Sequence, residues 1–299
     1  MKLKKTTSVY ILFFVFFTHA AILSAAEENI VSFPENCAFN FSGIYTTNSF
    51  IQGESQYRAD KPWSIGIGIR YKTTSLRVSV PLYDFATLFQ SFDMQSNAYY
   101  DALYYEAFCR RYQDFSYGGT DSITAGGTDG AEPDKRGIDL SLFSAGVSAG
   151  WIQNSKNHSL SAVYDLDKMQ TVSSGSFLLG FGVFYTSIYC TDDTIKNYRE
   201  EQRFIYFGPT AGYSYTLILP HTMFVNINFG MGLNAGFNTN ESRWLIIPQF
   251  MPKISFGHHN KSWSINVVGG SNLTTIAWDK RNHDTLLASA MTLTFSKRF

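Results

Sequence analysis

Six histidines, three cysteines and a few clustered carboxylates are the side chains of this sequence best equipped for chemistry. Their spacing limits what they can do. A membrane-embedded hydrolase of the phospholipase kind places a histidine and a serine two apart on one strand face. His158 is followed directly by Ser159 and then Leu160, so the spacing fails. A hydrolytic triad also needs a carboxylate to orient its imidazole. His221, His258, His259 and His283 fall in turn-like stretches, where polar histidines are ordinarily solvated. A metal site on His258-His259 needs two or more further ligands, and the sequence offers no evident ones. Asp192-Asp193 and Asp129, Glu132 and Asp134 could hold calcium in loops, but lack the spacing of a dedicated calcium loop. Gly126-Gly127 has no strand–glycine–helix context for cradling a phosphate. Cys109 reads as a small apolar residue, and the odd, wide spacing of Cys37, Cys109 and Cys190 is not a disulfide framework. The expectation is a protein that is not an enzyme, with no catalytic, cofactor-binding or metal-ligating residues.

Composition then says what kind of scaffold holds these residues. Among 299 residues, 24 are basic and 24 acidic, a balance that suggests no nucleic-acid partner. Charged residues reach only 16%, against roughly 25% in soluble domains. Aromatics also reach 16%, which excludes a disordered chain, and 23 glycines argue against a helix bundle. Lys2, Lys4 and Lys5 precede an apolar run over Val9–Phe17 and Ala20–Leu23, which ends in Ser24-Ala25-Ala26. That order is expected of a signal peptide over 1–26, cleaved before Glu27, which marks an exported protein.

Beyond Glu27 no stretch is long and apolar enough for a transmembrane helix. Period-two alternation recurs instead. Phe177, Leu179, Phe181, Val183 and Tyr185 share one face, with Gly180 and Gly182 on the other. Trp63, Ile65, Ile67, Ile69 and Tyr71 oppose Ser64, Gly66, Gly68 and Arg70. Val225, Ile227, Phe229 and Met231 oppose Asn226, Asn228, Gly230 and Gly232. A soluble sandwich would carry many more Lys and Glu on its wet face. Rows of Gly, Ser and Asn better suit the inside of a closed sheet whose apolar face meets lipid. The expected fold is all-β: a transmembrane antiparallel up-and-down β-barrel of about 12 (12–14) strands in the bacterial outer membrane.

Candidate strands near 63–72, 75–83, 91–100, 102–112, 138–152, 158–165, 176–189, 203–219, 223–237, 244–257, 263–272 and 286–299 make twelve. This assigns 61–299 to the barrel and 27–60 to an N-terminal segment, where weak alternation over Phe39–Phe50 allows one more strand pair. Even parity places both ends on the periplasmic side. The stretches 191–202, 238–243 and 279–285 become external loops, whereas the long loop 113–137 falls awkwardly on the periplasmic side. Pro209, Pro248 and Pro252 sit inside strands, where proline belongs at bulges or ends. A phase switch from Leu142 to Phe143 calls for a bulge. Phe299, with Phe295, Leu293 and Met291 on its face, looks like the terminal signal read by the barrel-assembly machinery, although Lys297 departs from it. Membrane lipid and that machinery are the expected partners.

Three blocks carry a family resemblance. They are Lys61-Pro62-Trp63 running into Gly66-Ile67-Gly68-Ile69-Arg70-Tyr71, then Ser91-Phe92-Asp93-Met94-Gln95, then Gln170-Thr171-Val172-Ser173-Ser174-Gly175-Ser176-Phe177-Leu178-Leu179-Gly180. In this order they resemble a domain-of-unknown-function family of bacterial outer-membrane proteins. The resemblance implies an outer-membrane barrel and supplies no site residues.

By phase, Arg70, Arg77, Asp93, Glu106, Arg110, Arg243 and Lys253 point into the lumen. Two roles follow. Mixed charge could line a narrow channel or uptake port for small polar solutes. The alternative is a structural or surface-interaction barrel, whose lumen is plugged by paired charges and whose external loops bind partners.

Overall fold

Alternation becomes geometry in the computed structural model, which describes residues 29–53, 55–82, 91–118, 137–191, 195, 201–240, 242–278 and 283–299. Residues 1–26, Asp129, Glu132, Asp134, Asp192, Asp193 and Gly126-Gly127 lie outside that set. Among the described residues, twelve strands form one antiparallel ring. The first five are β2 (Cys37–Gln52), β4 (Trp63–Tyr71), β5 (Thr74–Pro81), β6 (Phe92–Tyr99) and β7 (Leu103–Tyr112). The rest are β10 (Leu140–Ile152), β12 (Ser174–Cys190), β13 (Gln202–Leu219), β14 (Met223–Asn238), β15 (Arg243–His259), β16 (Trp263–Trp278) and β17 (His283–Arg298). β17 pairs back onto β2 from Arg298↔Ala38 to Asp284↔Gln52. That closure removes the free edge a lipid-embedded sheet cannot tolerate.

The facing is the inverse of a soluble protein. Ile67, Ile69, Phe177, Leu179, Val183, Ile227, Leu233 and Ile246 are each more than half exposed, while Ser42, Ser214, Asn226 and Ser264 are fully buried. An apolar surface of this extent on a closed ring is a lipid-facing band, so the chain is an outer-membrane β-barrel. Turns 72–73, 100–102, 220–222 and 260–262 are short and lie at the end that carries Cys37 and Arg298. That end is the periplasmic one.

The count of twelve holds, but its membership changes. The expected strand 158–165 is instead α1 (Leu160–Tyr164), a single turn capped by Ser159, whose Oγ accepts from the Ala162 amide. Phe39–Phe50 supplies one ring strand, β2, rather than an extra pair. This exchange moves the long connection after residue 112 to the external end, where long loops belong. No bulge interrupts β10: its register runs unbroken against β7 and β12. Leu140 and Leu142 point inward because the outer end of the lumen is itself apolar, so both faces of the strand are greasy there. The prolines face lipid. The β13–β14 ladder skips 208–209, and the β15–β16 ladder skips 251–252 and stops at Gln249. The β14–β15 ladder is intact past both Pro248 and Pro252. The missing donors of Pro248 and Pro252 therefore lie on the β16 edge and that of Pro209 on the β14 edge, as the alternation of strand hydrogen bonds requires.

Wall height is uneven. β4, β5 and β6 have 9, 8 and 8 residues, against 16 to 18 in β2 and β12 to β17. Above the low strands, β3 (Ser55–Ala59), β8 (Phe115–Gly118) and β9 (Gly137–Ile138) continue the sheet from the top of β2. Inside the ring lie α1, β11 (Lys168–Gln170) and β1 (Ile30–Ser32), the last two paired with each other.

Inward glycines allow the ring to bend. A Cβ on Gly208 would stand 2.3 Å from the Leu233 carbonyl oxygen and 2.7 Å from the Asn234 Cα. Backbone cannot yield as a side chain can. Gly208→Ala is expected to cost about 1–3 kcal/mol, read as a lower unfolding midpoint in urea-treated vesicles.

Candidate functional site

The lumen is built in three tiers. At the external end, Phe50, Tyr57, Phe115, Ile138, Leu140, Leu142, Phe184, Ile188, Phe204, Tyr206, Ile247, Ile276 and Leu286 form one buried apolar cluster. Phe184 stacks between Phe108 and Tyr206, with centroids 6.2 and 5.1 Å away. The rings reach this position because Gly146 and Gly182 lack a Cβ that would stand 2.4 Å from the Phe184 ring. This tier is a greasy lid.

The middle tier is polar. Arg77 donates to the Gln95 side-chain oxygen at 2.6 Å, and Gln95 and Tyr112 each donate to Asp93 Oδ2 at 3.3 Å. Arg110 lies over the Phe108 ring at 4.1 Å. Lys253 Nζ stands 3.6 Å from Glu106 Oε1, and Tyr99 donates to the same oxygen at 2.9 Å. β7 and β15 are five strands apart in a ring of twelve, so the Lys253–Glu106 pair spans the bore. Both side chains remain about one-third exposed. Inward Ala290 is exposed, and Thr210, Asn228, Met251 and Asn272 are half-buried. A water-accessible chamber therefore survives at mid-height.

The inner tier is a plug made of residues 29–36 and 153–173. Its grip on the wall is polar. Ser75 donates to Asp165 Oδ1 at 2.8 Å, Tyr164 to Asn226 at 3.2 Å, and Asn266 to the Val163 carbonyl at 2.8 Å. Lys168 pairs with Asp101 at 2.9 Å. Arg298, only 2% exposed, donates to the Leu166 carbonyl at 2.9 Å, to Ser264 at 2.8 Å and to the Trp263 carbonyl at 2.9 Å. It also bonds the Asn260 carbonyl and lies 3.5 Å over the Phe33 ring. Burial, reinforced by the neighbouring Asp167 charge, pushes the Asp165 carboxyl well above the usual range. Asp167 is raised as well, chiefly by burial, and the His158 imidazole is pushed down to about 4 for the same reason. His158 is therefore neutral at physiological pH.

Of the seven residues expected in the lumen, Arg70, Arg77, Asp93, Glu106, Arg110 and Lys253 face the interior. The structure brings Arg77, Asp93 and Arg110 into one group and Glu106 and Lys253 into another, whereas Arg70 lies lower, beside the plug. Arg243 follows the inward phase but is exposed at the outer rim, above the lid, and reaches none of them. Cys109 faces outward on β7. Among the described residues, no group of three His, Cys, Asp or Glu side chains is placed to hold a metal ion.

The pattern of a family described as a domain of unknown function (DUF4421) matches residues 30–281. The chain belongs to the DUF4421 family. No curated protein matches it. Among solved structures, the DUF4421 barrel is similar to the beta domain of the Bordetella autotransporter BrkA, at 9% identity and TM-score 0.44, over 89% of this chain and 100% of that one. It is also similar to the translocator domain of NalP from Neisseria meningitidis, at 9% identity and TM-score 0.45, over 88% of each chain. An outer-membrane channel from Pseudomonas putida F1 aligns at 8% identity and TM-score 0.37, over 92% of this chain and 100% of that one. These likenesses are too distant to carry an activity across.

Arg298, Asp165 and Asp167 did not emerge from the sequence. Arg298 lies on the phase opposite Phe295 and so reads as inward, which is the signal that could have found it. The aspartates carry none, because they belong to a connection that folds back through the ring.

Proposed function

We propose that the DUF4421 barrel is a gated outer-membrane port for small polar solutes, held closed in this state by the lid above and the plug below. The observation that carries this reading is the water-accessible chamber between them. The wall behind the plug supports it. Ser42, Ser214, Thr216, Asn226, Ser264 and Ser296 are buried there, and such a wall stays compatible with water once the plug leaves. A permanent stopper needs no hydroxyl-lined seat, and polar contacts, unlike a dry apolar seal, trade readily for water.

In planar bilayers the intact protein is expected to stay mostly silent. A variant with residues 155–172 replaced by a short Gly-Ser turn and the lid rings removed by Phe184→Ala and Phe204→Ala should conduct in steady steps. The Lys253–Glu106 bridge across the bore favours a second reading, a permanently closed scaffold whose external surface contacts partners. Silence of both proteins would favour that scaffold.

A further inference from the structure

We propose that the mid-height chamber is a binding site for small zwitterionic solutes, which place a carboxylate on Lys253 and an ammonium group on Glu106. The two charges stand on opposite walls, 3.6 Å apart and about one-third exposed, beside neutral groups such as Thr210, Asn228 and Asn272, while Arg77, Asp93 and Arg110 form a separate group in the same tier. Their separation lies beyond a normal hydrogen bond, so the pair is loose and open to solvent. A lone anion reaching Lys253 would leave Glu106 facing it with like charge, and a lone cation would do the same at Lys253. A solute carrying both charges replaces one loose pair by two closer ones, so the site discriminates by repulsion as well as attraction.

The surroundings favour this exchange. Tyr99 holds Glu106 in place by donating to Oε1 at 2.9 Å. The Tyr164 ring, 5.4 Å from Lys253 Nζ, offers its face to a cation at the chamber floor. Gly270 gives the Lys253 stem room to swing: a Cβ there would stand 3.1 Å from Lys253 Cγ.

The assignment rests on the port reading, and calorimetry on the detergent-solubilised full chain separates the two. γ-Aminobutyrate should give a saturable heat, with butyrate and butylammonium at least about ten-fold weaker. Glu106→Gln and Lys253→Met should each abolish the heat. The exchanged pair Glu106→Lys with Lys253→Glu should restore it, because a zwitterion can bind in either direction. Absence of saturable heat, equal affinity for the three probes, binding untouched in the single variants, or an exchanged pair that stays silent would each overturn the assignment. Binding by the full chain with an opened variant that stays silent would refute the port, and an opened variant that conducts with a full chain that gives no heat would refute the zwitterion site.

Discussion

Arg298→Ala is expected to release the plug. The guanidinium is buried, clasps the carbonyls of Leu166, Asn260 and Trp263 together with Ser264 Oγ, and covers the Phe33 ring. Its removal strands several acceptors in a dry site, each worth about 1–3 kcal/mol when left unpaired. A total loss of about 3–5 kcal/mol follows, comparable to breaking a buried ionic network. Lysine cannot reproduce the planar fork, so Arg298→Lys should recover only part of it. Limited trypsin digestion in vesicles is the direct readout. Lys168, buried in the plug, should become a cleavage site, while the lipid-embedded strands stay resistant. Unchanged resistance at Lys168 would show that the apolar contacts of Val163, Leu166 and Phe224 hold the plug by themselves.

Plug docking is also expected to weaken as pH rises. Asp165 has its carboxyl raised well above the ordinary value near 4, first by burial and then by the Asp167 charge. Ser75 and the Arg70 charge pull it the other way, and Glu106 adds to the rise. The docked plug thus binds a proton that the released plug gives up. Docking is fully supported below the ordinary carboxyl value and loses support as pH climbs through the raised one. For one group the slope is at most about 1.4 kcal/mol per pH unit. Trypsin cleavage at Lys168, normalised to an unstructured substrate, should therefore rise between about pH 5 and pH 8. Asp165→Asn keeps an acceptor for Ser75 and removes the titrating proton, so its profile should be distinctly flatter, with Asp167 contributing the rest. A wild-type profile that falls with pH would mean that both aspartates are charged when docked and held by Arg70.

What the sequence made legible, and what it hid, follows from which faces were chemically distinct. From Trp63 to Tyr71 and from Phe177 to Tyr185, lipid-facing Ile, Leu and Phe alternate with inward Gly and Ser, so facing could be read residue by residue. Near the lid the contrast vanishes. Phe184, Phe204, Tyr206 and Leu142 are apolar on the inward side, which is why Leu142–Phe143 imitates a phase switch. β2 is faint for the opposite reason: its outward Gly43, Thr47 and Ser49 are barely greasier than its inward Asn40, Ser42 and Asn48. His158, Leu160, Ala162 and Tyr164 alternate well enough to pass for a strand. One helical turn buried in the bore needs no amphipathic stripe, because its surroundings are apolar and polar by turns. The charged lumen residues were visible through phase, whereas the pairing of Lys253 with Glu106 needed the ring to bring β7 and β15 face to face.

The low wall at β4, β5 and β6 reaches beyond the pore. At about 3.3 Å per residue and a tilt near 40°, those strands rise roughly 20 Å, against about 40 Å for the longest ones across the ring. Surrounding lipid thus meets a short apolar flank on one side, where β3 above it presents Gln56 and the exposed Arg58, and a tall one on the other. The leaflets must thin beside Ile65, Ile67 and Val78, or the whole cylinder must lean to share the mismatch. Either response gives the molecule a preferred side, and neighbours with an equally shallow flank would be drawn to it by the relief of membrane deformation alone.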